Sequence, residues 1–331
     1  MSGFAPNFAI LEKLQGFWLG RAIHVAVRLG LPDLLANRPR PLSELALATN
    51  CNEPALHRLL HCLKHLEIIT EVSPKLYSGT SLSERLRRCG SLYWLSMSYG
   101  DKWQLRAWER LEDSIRTGAS GMRHAFGADL WTYLDQHQDY AEHYNKALSG
   151  LSALNDQIAS AYDFPDGAVV IDIGGGEGDF LQKILARNSS VRGVLFDRKS
   201  VIDSVGSING SACRDRLSLM AGDFFESIPP DGDIYVLKQI LHNWDDPRAL
   251  AILQICRRIM KKGAKLLVAE LIVPESGPLA LFGSLLDLQM LVVHGGRERT
   301  EREFANVLHA SGFRIQRVIV TATPISIIEA R

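Results

Sequence analysis

The sequence has little of what marks secreted, membrane-spanning or nucleic-acid-binding proteins. Its five cysteines are widely scattered and form no C-x-x-C pair, which argues against a disulfide framework and a thiolate zinc site. Thirty-seven basic residues balance thirty-seven acidic ones, so no net charge attracts nucleic acid or a membrane surface. Apolar runs such as residues 266–273 are far shorter than the ~20 residues of a transmembrane helix, and the opening residues resemble no secretory signal. We therefore expect a cytoplasmic protein with a small-molecule partner.

Residues 1–100 are predicted to form a mainly helical, winged-helix-like domain. Apolar residues recur at helical spacing over residues 8–71, and a turn at Ser73-Pro74-Lys75 predicts a short hairpin. Winged helices often bind DNA, but here the basic residues are diluted by acidic neighbours, which favours helix packing or dimerisation. The opening helix carries more apolar surface than one exposed helix should, in Phe17, Trp18, Ile23, Val25, Val27 and Leu29. We expect a homodimer.

The rest of the chain is predicted to form a helical linker and an α/β domain. Residues 101–160 are helical and rich in aromatic residues, one or two of which are expected to line a ligand pocket. Over residues 161–331, short β-rich runs alternate with helices, which is typical of a doubly wound, Rossmann-like sheet. The last two runs, RIQRVIV and SIIEA, lie close together and predict a C-terminal antiparallel hairpin on an otherwise parallel sheet.

A glycine-rich turn follows the first strand of this domain and predicts a cofactor site. The run VVIDIGGGEGDF contains Asp172 and the glycines Gly174, Gly175 and Gly176. A dinucleotide fingerprint requires a third glycine where this chain has aspartate or leucine, and Asp172 would repel a pyrophosphate. S-adenosylmethionine reverses that argument, because acidic residues offset its ammonium and sulfonium charges and glycines allow the backbone to come close.

Acidic residues also end the next two strands. Asp197 follows Asp172 by 25 residues, the position from which a carboxylate accepts hydrogen bonds from ribose hydroxyls. In the sequence Gly222-Asp223-Phe224, the carboxylate is placed to hold the adenine amino group and the phenyl ring to pack on adenine. Three acidic strand ends in this order predict that S-adenosylmethionine is the cofactor.

With these motifs the sequence resembles the plant-type small-molecule O-methyltransferases, such as caffeic acid and hydroxyindole O-methyltransferases and their bacterial relatives. The resemblance covers nearly the whole chain and rests on IDIGGGEGDF (171–180), AGDFFESIP (221–229), LKQILHNWDD (237–246), AEL-x-VPE (269–275) and GGRERTEREF (295–304). It implies a class I methyltransferase sheet and methyl transfer to a hydroxyl of a small phenolic or phenazine-like metabolite. It further implies that His242 is the general base, that Glu270 and Glu298 flank its imidazole, and that Lys238 and Trp244 neighbour the adenosyl group.

Physical chemistry supports this role for His242 independently. A phenol is a poor nucleophile at neutral pH, and a neutral imidazole within about 3 Å can take its proton during attack on the methyl carbon. Histidine has a suitable unperturbed pKa, and carboxylates beside the ring orient it and stabilise its protonated form. The alternative is that His242 merely caps a helix beginning at Asn243 or Trp244.

The sequence departs from the family pattern at two positions. Asn243 stands where many plant members have aspartate, so a hydrogen bond to a second substrate hydroxyl is expected to differ or be absent. His294 stands where proline or threonine is common, and we expect it to face the acceptor. Histidines in these two places hold a metal in relatives that methylate the carbon next to an aromatic 2-keto acid, and His242 with His294 leaves that chemistry open. The main interpretation requires no metal.

The acceptor pocket is expected to be shaped by variable side chains. The candidate lining residues, besides Asn243 and His294, are Phe126, Trp131, Leu148, Leu151 and Met290. A different class of function, a cofactor-sensing DNA-binding regulator, would account for the winged-helix-like start and the glycine turn. That reading leaves His242, Glu270 and Glu298 unexplained.

Overall fold

The computed structural model describes residues 6–150, 154–205 and 213–331. The first half contains α1 (Pro6–Leu14), α2 (Gly16–Arg28), α3 (Leu31–Leu34), β1 (Arg40–Pro41), α4 (Leu42–Thr49), α5 (Glu53–His65), β2 (Ile69–Ser73), β3 (Leu76–Gly79), α6 (Ser81–Arg85), α7 (Tyr93–Tyr99), α8 (Lys102–Trp108), α9 (Leu111–Thr117), α10 (Gly121–Phe126), α11 (Leu130–Gln136), α12 (Gln138–Gly150) and α13 (Asn155–Ser160). The second half contains β4 (Val169–Ile173), α14 (Asp179–Arg187), β5 (Arg192–Asp197), α15 (Lys199–Val205), β6 (Leu217–Ala221), β7 (Ile234–Lys238), α16 (Asp246–Ile259), β8 (Lys265–Leu271), α17 (Pro278–Gln289), α18 (Glu301–Ala310), β9 (Ile315–Val320) and β10 (Ile325–Ala330).

The chain folds into two compact units. The described residues up to 105 and those from 134 to 150 form the first unit, whereas residues 106–133 and those from 154 onward form the second. In the described part of the chain, no helix is both long enough and apolar enough to cross a membrane.

The first unit is mainly helical and contains the predicted hairpin. Helix α5 begins where the Asn52 side chain accepts the N–H of Ala55, with Pro54 in the first turn. Strands β2 and β3 then pair antiparallel around Lys75, whose φ of 60° closes the turn, and β1 adds a third strand. Leu45, Leu60 and Leu63 are completely buried in the core of this unit. The order of helix, helix and hairpin confirms the winged-helix-like prediction.

The opening helical region is split at Gln15 into α1 and α2. In α2, Val27 is buried in the core, whereas Phe17 and Trp18 remain about two-thirds exposed, at 66% and 65%. Further apolar side chains on α1 are exposed in the same way, namely Phe8, Ile10, Leu11 and Leu14. A single chain therefore leaves an apolar surface facing solvent.

The second unit is built on a seven-stranded sheet in the order β6-β5-β4-β7-β8-β10-β9. Strands β6, β5, β4, β7 and β8 are parallel, while β10 runs antiparallel to both β8 and β9, which confirms the predicted C-terminal hairpin. Residues alternate between the faces of β4, with Ile171 and Ile173 in one buried cluster and Val170 in another. Helices α16 and α18 cover the first face, and α13 and α14 the second.

This topology decides where polar side chains gather. Because parallel strands end at one edge of the sheet, Asp172, Asp197, Lys238 and Glu270 all lie at or near the carboxyl ends of their strands. Open α/β sheets bind ligands at this edge.

Candidate active site

The glycine turn after β4 has a backbone shape that favours glycine. Gly174 and Gly176 adopt left-handed φ angles of 68° and 59°. A side chain on Gly175 would place its Cβ 2.5 Å from Asp172 Oδ2 and 2.5 Å from Leu195 Cδ1. The turn therefore lies directly against the Asp172 carboxylate and leads into α14.

Asp172 is a buried carboxylate whose oxygens accept no hydrogen bond from the described residues. Its side chain is 1% exposed. Burial raises the pKa of Asp172 to about 7, although the nearby Lys238 charge opposes that shift. An unsatisfied buried carboxylate is costly unless a ligand pairs with it, so Asp172 fits a cationic ligand such as the ammonium of S-adenosylmethionine.

The carboxylate of Asp197 is anchored beside the same turn. Its Oδ2 accepts the N–H of Gly176 at 2.8 Å and its Oδ1 accepts the N–H of Arg198 at 2.7 Å. Burial also raises the pKa of Asp197. Each carboxylate oxygen has two lone pairs, so Asp197 retains acceptor capacity for hydroxyl groups.

The predicted adenine-binding residues follow β6. The exposed Asp223 accepts the N–H of Phe225 at 2.8 Å, and a side chain on Gly222 would overlap the Phe196 ring. Phe224 lies beside Gly174 and meets Trp244 edge-on, with 6.2 Å between ring centroids. Phe224 thus extends an aromatic patch from the glycine turn to Trp244.

Lys238 ends β7 between the cofactor candidates and the predicted base. Its Nζ donates to the Gln239 side-chain oxygen at 3.0 Å. Burial lowers the pKa of Lys238, and the charges of Asp172 and Glu270 oppose that shift. Lys238 therefore lies within the electrostatic range of both carboxylates.

His242 lies on a short segment, Gln239–Trp244, that we call the base loop. Gln239 has a left-handed φ of 54°, and a single 3-10 turn covers Leu241–Asn243. His242 Nδ1 lies 2.8 Å from Glu298 Oε1 and 3.8 Å from Glu270 Oε2. The hydrogen bond to the carboxylate assigns the proton of the neutral ring to Nδ1, which leaves Nε2 as the acceptor.

The helix-cap explanation of His242 is wrong. Helix α16 begins at Asp246, and its N-cap is Asp245, whose side chain accepts the N–H of Arg248 at 3.0 Å. His242 lies one turn earlier, in the 3-10 turn.

Two buried carboxylates surround the Nδ1 side of the His242 ring. Glu270 Oε1 accepts the N–H groups of Ile240, Leu241 and His242 at 3.0, 2.9 and 3.4 Å. Burial lowers the pKa of His242, but the charges of Glu270 and Glu298 and the hydrogen bond to Glu298 outweigh burial and raise it above its ordinary value. Burial raises the pKa of Glu270. The negative charges of Glu270 and Glu298 stabilise the imidazolium form of His242.

A buried arginine that sequence reasoning missed also binds the base loop. Arg299 is completely buried, and its guanidinium donates to the carbonyls of Leu241 and Trp244 and to the Asp246 carboxylate. Asp246 lies in the first turn of α16. The one available signal was an arginine next to the predicted Glu298, which by itself specifies no contact.

His242, Glu270 and Glu298 also form a group with the composition of a metal site. One ligand atom from each lies within 4.8 Å of the other two. His294 is not part of this group. It ends the π-helical segment Met290–His294, where burial, with a smaller effect of the His242 charge, lowers its pKa to about 3.

The predicted acceptor-binding residues have mixed positions. The Trp131 ring lies 5.7 Å from the His294 ring, Met290 is buried on the same π-helical segment, and Asn243 donates its side-chain amide to the Gln239 carbonyl at 3.2 Å. Phe126 packs on Tyr133 with 4.5 Å between centroids. Leu148 belongs to the first unit and is half exposed, and Leu151 lies outside the described residues.

Comparison with known proteins identifies the family. The O-methyltransferase domain model matches residues 108–314, and the O-methyltransferase dimerisation domain model matches residues 11–88. The chain is 38% identical to a phenazine O-methyltransferase of Lysobacter antibioticus, over 100% of this chain and 98% of that protein. It is 36% identical to the mitomycin biosynthesis 6-O-methyltransferase of Streptomyces lavendulae, over 99% and 95%.

Solved structures agree with this result. The structure of the mitomycin 7-O-methyltransferase superposes with a TM-score of 0.89 at 35% identity, covering 98% of this chain and 97% of that one. Human N-acetylserotonin methyltransferase in complex with S-adenosylmethionine shares the fold, with a TM-score of 0.88 at 24% identity and coverage of 100% and 99%. The chain therefore belongs to the O-methyltransferase family, with an N-terminal dimerisation domain, and is an S-adenosylmethionine-dependent O-methyltransferase.

Proposed function

We propose that this enzyme methylates a hydroxyl group of a small aromatic metabolite, phenolic or phenazine-like, with His242 as the general base. The observation that carries the proposal is the buried hydrogen bond of 2.8 Å between His242 Nδ1 and Glu298. Relatives named for phenazine and 3-amino-4-hydroxybenzoate O-methylation, at 38% and 35% identity, support this acceptor class.

The residues at the carboxyl edge of the sheet fit the cofactor. S-adenosylmethionine, when bound, supplies an electrophilic methyl group on a cationic sulfur. Asp172 offsets positive charge beside the glycine turn, and Asp197 accepts hydrogen bonds from the ribose hydroxyls. The adenosyl group is assigned to the segment Gly222, Asp223 and Phe224 together with Lys238 and Trp244. These roles rest on the unsatisfied Asp172 carboxylate, on the close approach of Asp172 to Gly175, and on the left-handed backbone of Gly174 and Gly176.

The base acts through its Nε2 atom. With Nδ1–H donated to Glu298, the Nε2 lone pair takes the proton of the acceptor hydroxyl as the oxygen becomes nucleophilic. Glu298 and Glu270 then stabilise the imidazolium that forms. Methylation of a ring nitrogen that carries a lone pair requires no such proton acceptor, so the His242–Glu298 pair favours a hydroxyl. N-methylation is the alternative to consider because a 29% identical relative is named a phenazine-1-carboxylate N-methyltransferase.

Trp131, His294, Met290 and Asn243 are assigned to acceptor binding. Trp131 and His294 supply adjacent aromatic rings, and a histidine with a pKa near 3 stays neutral at any working pH. Phe126, Leu148 and Leu151 stay sequence predictions for the same role.

Metal-assisted methylation of a 2-keto acid through His242 and His294 is less well supported. The residues that could share an ion are His242, Glu270 and Glu298, without His294. A 2.8 Å approach between Nδ1 and a carboxylate oxygen is also that of an ordinary charge-assisted hydrogen bond. The methyl-transfer assay that tests the proposal therefore includes a chelator.

The N-terminal domain is proposed to form a homodimer. The apolar surface of Phe8, Leu11, Leu14, Phe17 and Trp18 is exposed in a single chain, and it lies largely in the segment matched by the dimerisation model. Burial of such a surface is a strong driving force for association.

The first experiment measures transfer of a labelled methyl group to a panel of phenols, hydroxyphenazines and aromatic 2-keto acids. His242→Ala is expected to lose about 10²-fold or more of kcat, the usual contribution of a general base. His309→Ala, at an exposed histidine of α18, serves as the matched control and keeps the wild-type rate. Transfer of the label to an oxygen atom, at a rate that a chelator does not change, supports the proposal. Transfer of the label to a carbon atom, abolished by a chelator, would replace the proposed O-methylation with the metal-assisted reaction.

A further inference from the structure

The base loop is held by charged side chains from other parts of the chain. One 3-10 turn makes too few hydrogen bonds to be stable alone, and the left-handed φ of 54° at Gln239 adds strain. Glu270 binds the N–H side of the loop, as described above. The carbonyl side needs a donor of its own.

Arg299 supplies those donors. Its Nη1 lies 2.9 Å from the Leu241 carbonyl and its Nη2 lies 3.0 Å from the Trp244 carbonyl, so the guanidinium contacts the backbone on both sides of His242. Its Nε and Nη2 also donate to Asp246 Oδ1 at 3.0 and 2.8 Å. The planar fork of arginine meets these acceptors together, which the single ammonium of lysine cannot do.

Arg299 directly follows Glu298 in the chain, so adjacent residues contact the His242 ring and the backbone of the base loop. Glu298, the preceding residue, holds the His242 ring, while Arg299 holds the backbone that carries this ring. One dipeptide therefore sets both the ring and its support. The residues just before this dipeptide also contact the base loop. Gly296 packs so closely that a Cβ there would overlap the backbone of His242 and Asn243. The N–H of Arg297 donates to the His242 carbonyl at 2.9 Å.

Burial shows that this arrangement is more than a surface ion pair. The Arg299 side chain is 0% exposed, whereas the side chain of its partner Asp246 is 54% exposed. Burying a guanidinium is costly, and the cost is offset only when its donors are satisfied in good geometry. Here the donors of Arg299 are satisfied by the Leu241 and Trp244 carbonyls, which lie on either side of the base in the chain, and by the Asp246 carboxylate.

We propose that Arg299, held by Asp246, is a positioning residue that keeps His242 in register with Glu298 and with the acceptor hydroxyl. This inference rests on the proposed role of His242. A guanidinium that acts in this way affects the reaction mainly through the geometry of the base. Because Arg299 also holds the Trp244 carbonyl, its loss weakens cofactor binding by a smaller factor than it lowers kcat.

The test replaces Arg299 with lysine, which keeps the charge but loses the fork. We expect kcat at saturating cofactor to fall about tenfold to hundredfold, as it does for displacements near 1 Å, while the dissociation constant of S-adenosylmethionine changes by a smaller factor. Arg302→Lys, the same substitution at an exposed position of α18, is the control. Asp246→Asn provides a second, milder variant in case Arg299→Lys fails to fold, and a smaller loss of kcat is expected.

A double variant separates this inference from the proposed function. If Arg299 acts through His242, then His242→Ala combined with Arg299→Lys is no slower than His242→Ala alone. If the kcat of the double variant is lower than that of His242→Ala by the same factor as Arg299→Lys alone causes, the positioning role is overturned, while the role of His242 as the base still stands. Unchanged kcat per cofactor-binding site in both Arg299→Lys and Asp246→Asn would also overturn it, even with a lower Tm. A wild-type rate in His242→Ala alone would instead remove the proposed function.

Discussion

Replacing Glu298 with glutamine tests the electrostatics of the base directly. The substitution keeps the size of the side chain and a hydrogen-bonding group, but it removes a negative charge 2.8 Å from His242 Nδ1. Glu270 remains, with its nearer oxygen 3.8 Å away, so the charge support is reduced and not abolished. The variant therefore isolates one carboxylate of the pair.

The expected loss of rate follows from the strength of this hydrogen bond. A hydrogen bond to a charged group contributes about 1.5–3 kcal/mol. Each ~1.4 kcal/mol of transition-state stabilisation corresponds to a factor of about ten, so kcat should fall about 10- to 150-fold. Glutamine can also present its NH₂ group to Nδ1, which would place the ring proton on Nε2 and add to the loss.

The pH dependence distinguishes this mechanism from a general loss of structure. The carboxylates raise the pKa of His242, so the wild-type rate declines as the pH falls through that raised value and the neutral base disappears. In Glu298→Gln one source of the increase is gone and the pKa of His242 falls. The acid limb of kcat should therefore move to lower pH, although the plateau is lower.

The assay is kcat for labelled methyl transfer across the titration range of histidine, at saturating substrates. Glu301→Gln, an exposed carboxylate in the first turn of α18, is the matched control and should follow the wild-type profile. If Glu298→Gln is slow but its acid limb stays where the wild-type limb lies, then His242 is not the titrating base and the argument fails.

Two further substitutions test the cofactor and acceptor sides. Asp172→Asn should weaken binding of S-adenosylmethionine about tenfold or more, measured by calorimetry. Because the pKa of Asp172 is raised to about 7, wild-type affinity should increase as the pH rises through that value, and a matching increase in the variant would contradict the assignment. The native protein binds more protons at Asp172 than the unfolded chain does between about pH 4 and 7, so ligand-free stability should decline over that range and the variant should have the higher Tm. His294→Leu should raise the acceptor KM while leaving the acid limb of kcat in place, because a histidine with a pKa of about 3 does not titrate there; a shifted limb would show that His294 takes part in proton transfer.

Several features of the site could be predicted from local sequence. The alternation of β-rich runs with helices specifies a parallel sheet, and parallel strands place their carboxyl ends at one edge, so Asp172 and Asp197 were expected to lie together. The glycine run after a buried strand predicted a glycine-rich turn, and Gly174 and Gly176 lie in that turn with left-handed φ angles. These predictions succeed because the alternation of strands with helices and the glycine run are both local sequence patterns.

Other features depend on residues far apart in the chain and were not predictable in this way. Arg299 and Asp246 are separated by 53 positions, yet their ion pair joins the helix after the base loop to the segment that carries Glu298. Asp246 looked like an ordinary first-turn carboxylate, because sequence alone shows the helix start and not the guanidinium that reaches it.

The sequence by itself therefore determined the fold class, the cofactor and the motif that contains His242, because periodicity, glycine spacing and acidic strand ends are local properties. The tertiary structure decided what each titratable group does. His242 and His294 have the same intrinsic pKa, yet two carboxylates raise the first, while burial brings the second to about 3. A pKa depends on burial and on charges a few ångströms away, and only the folded chain brings those charges to the ring.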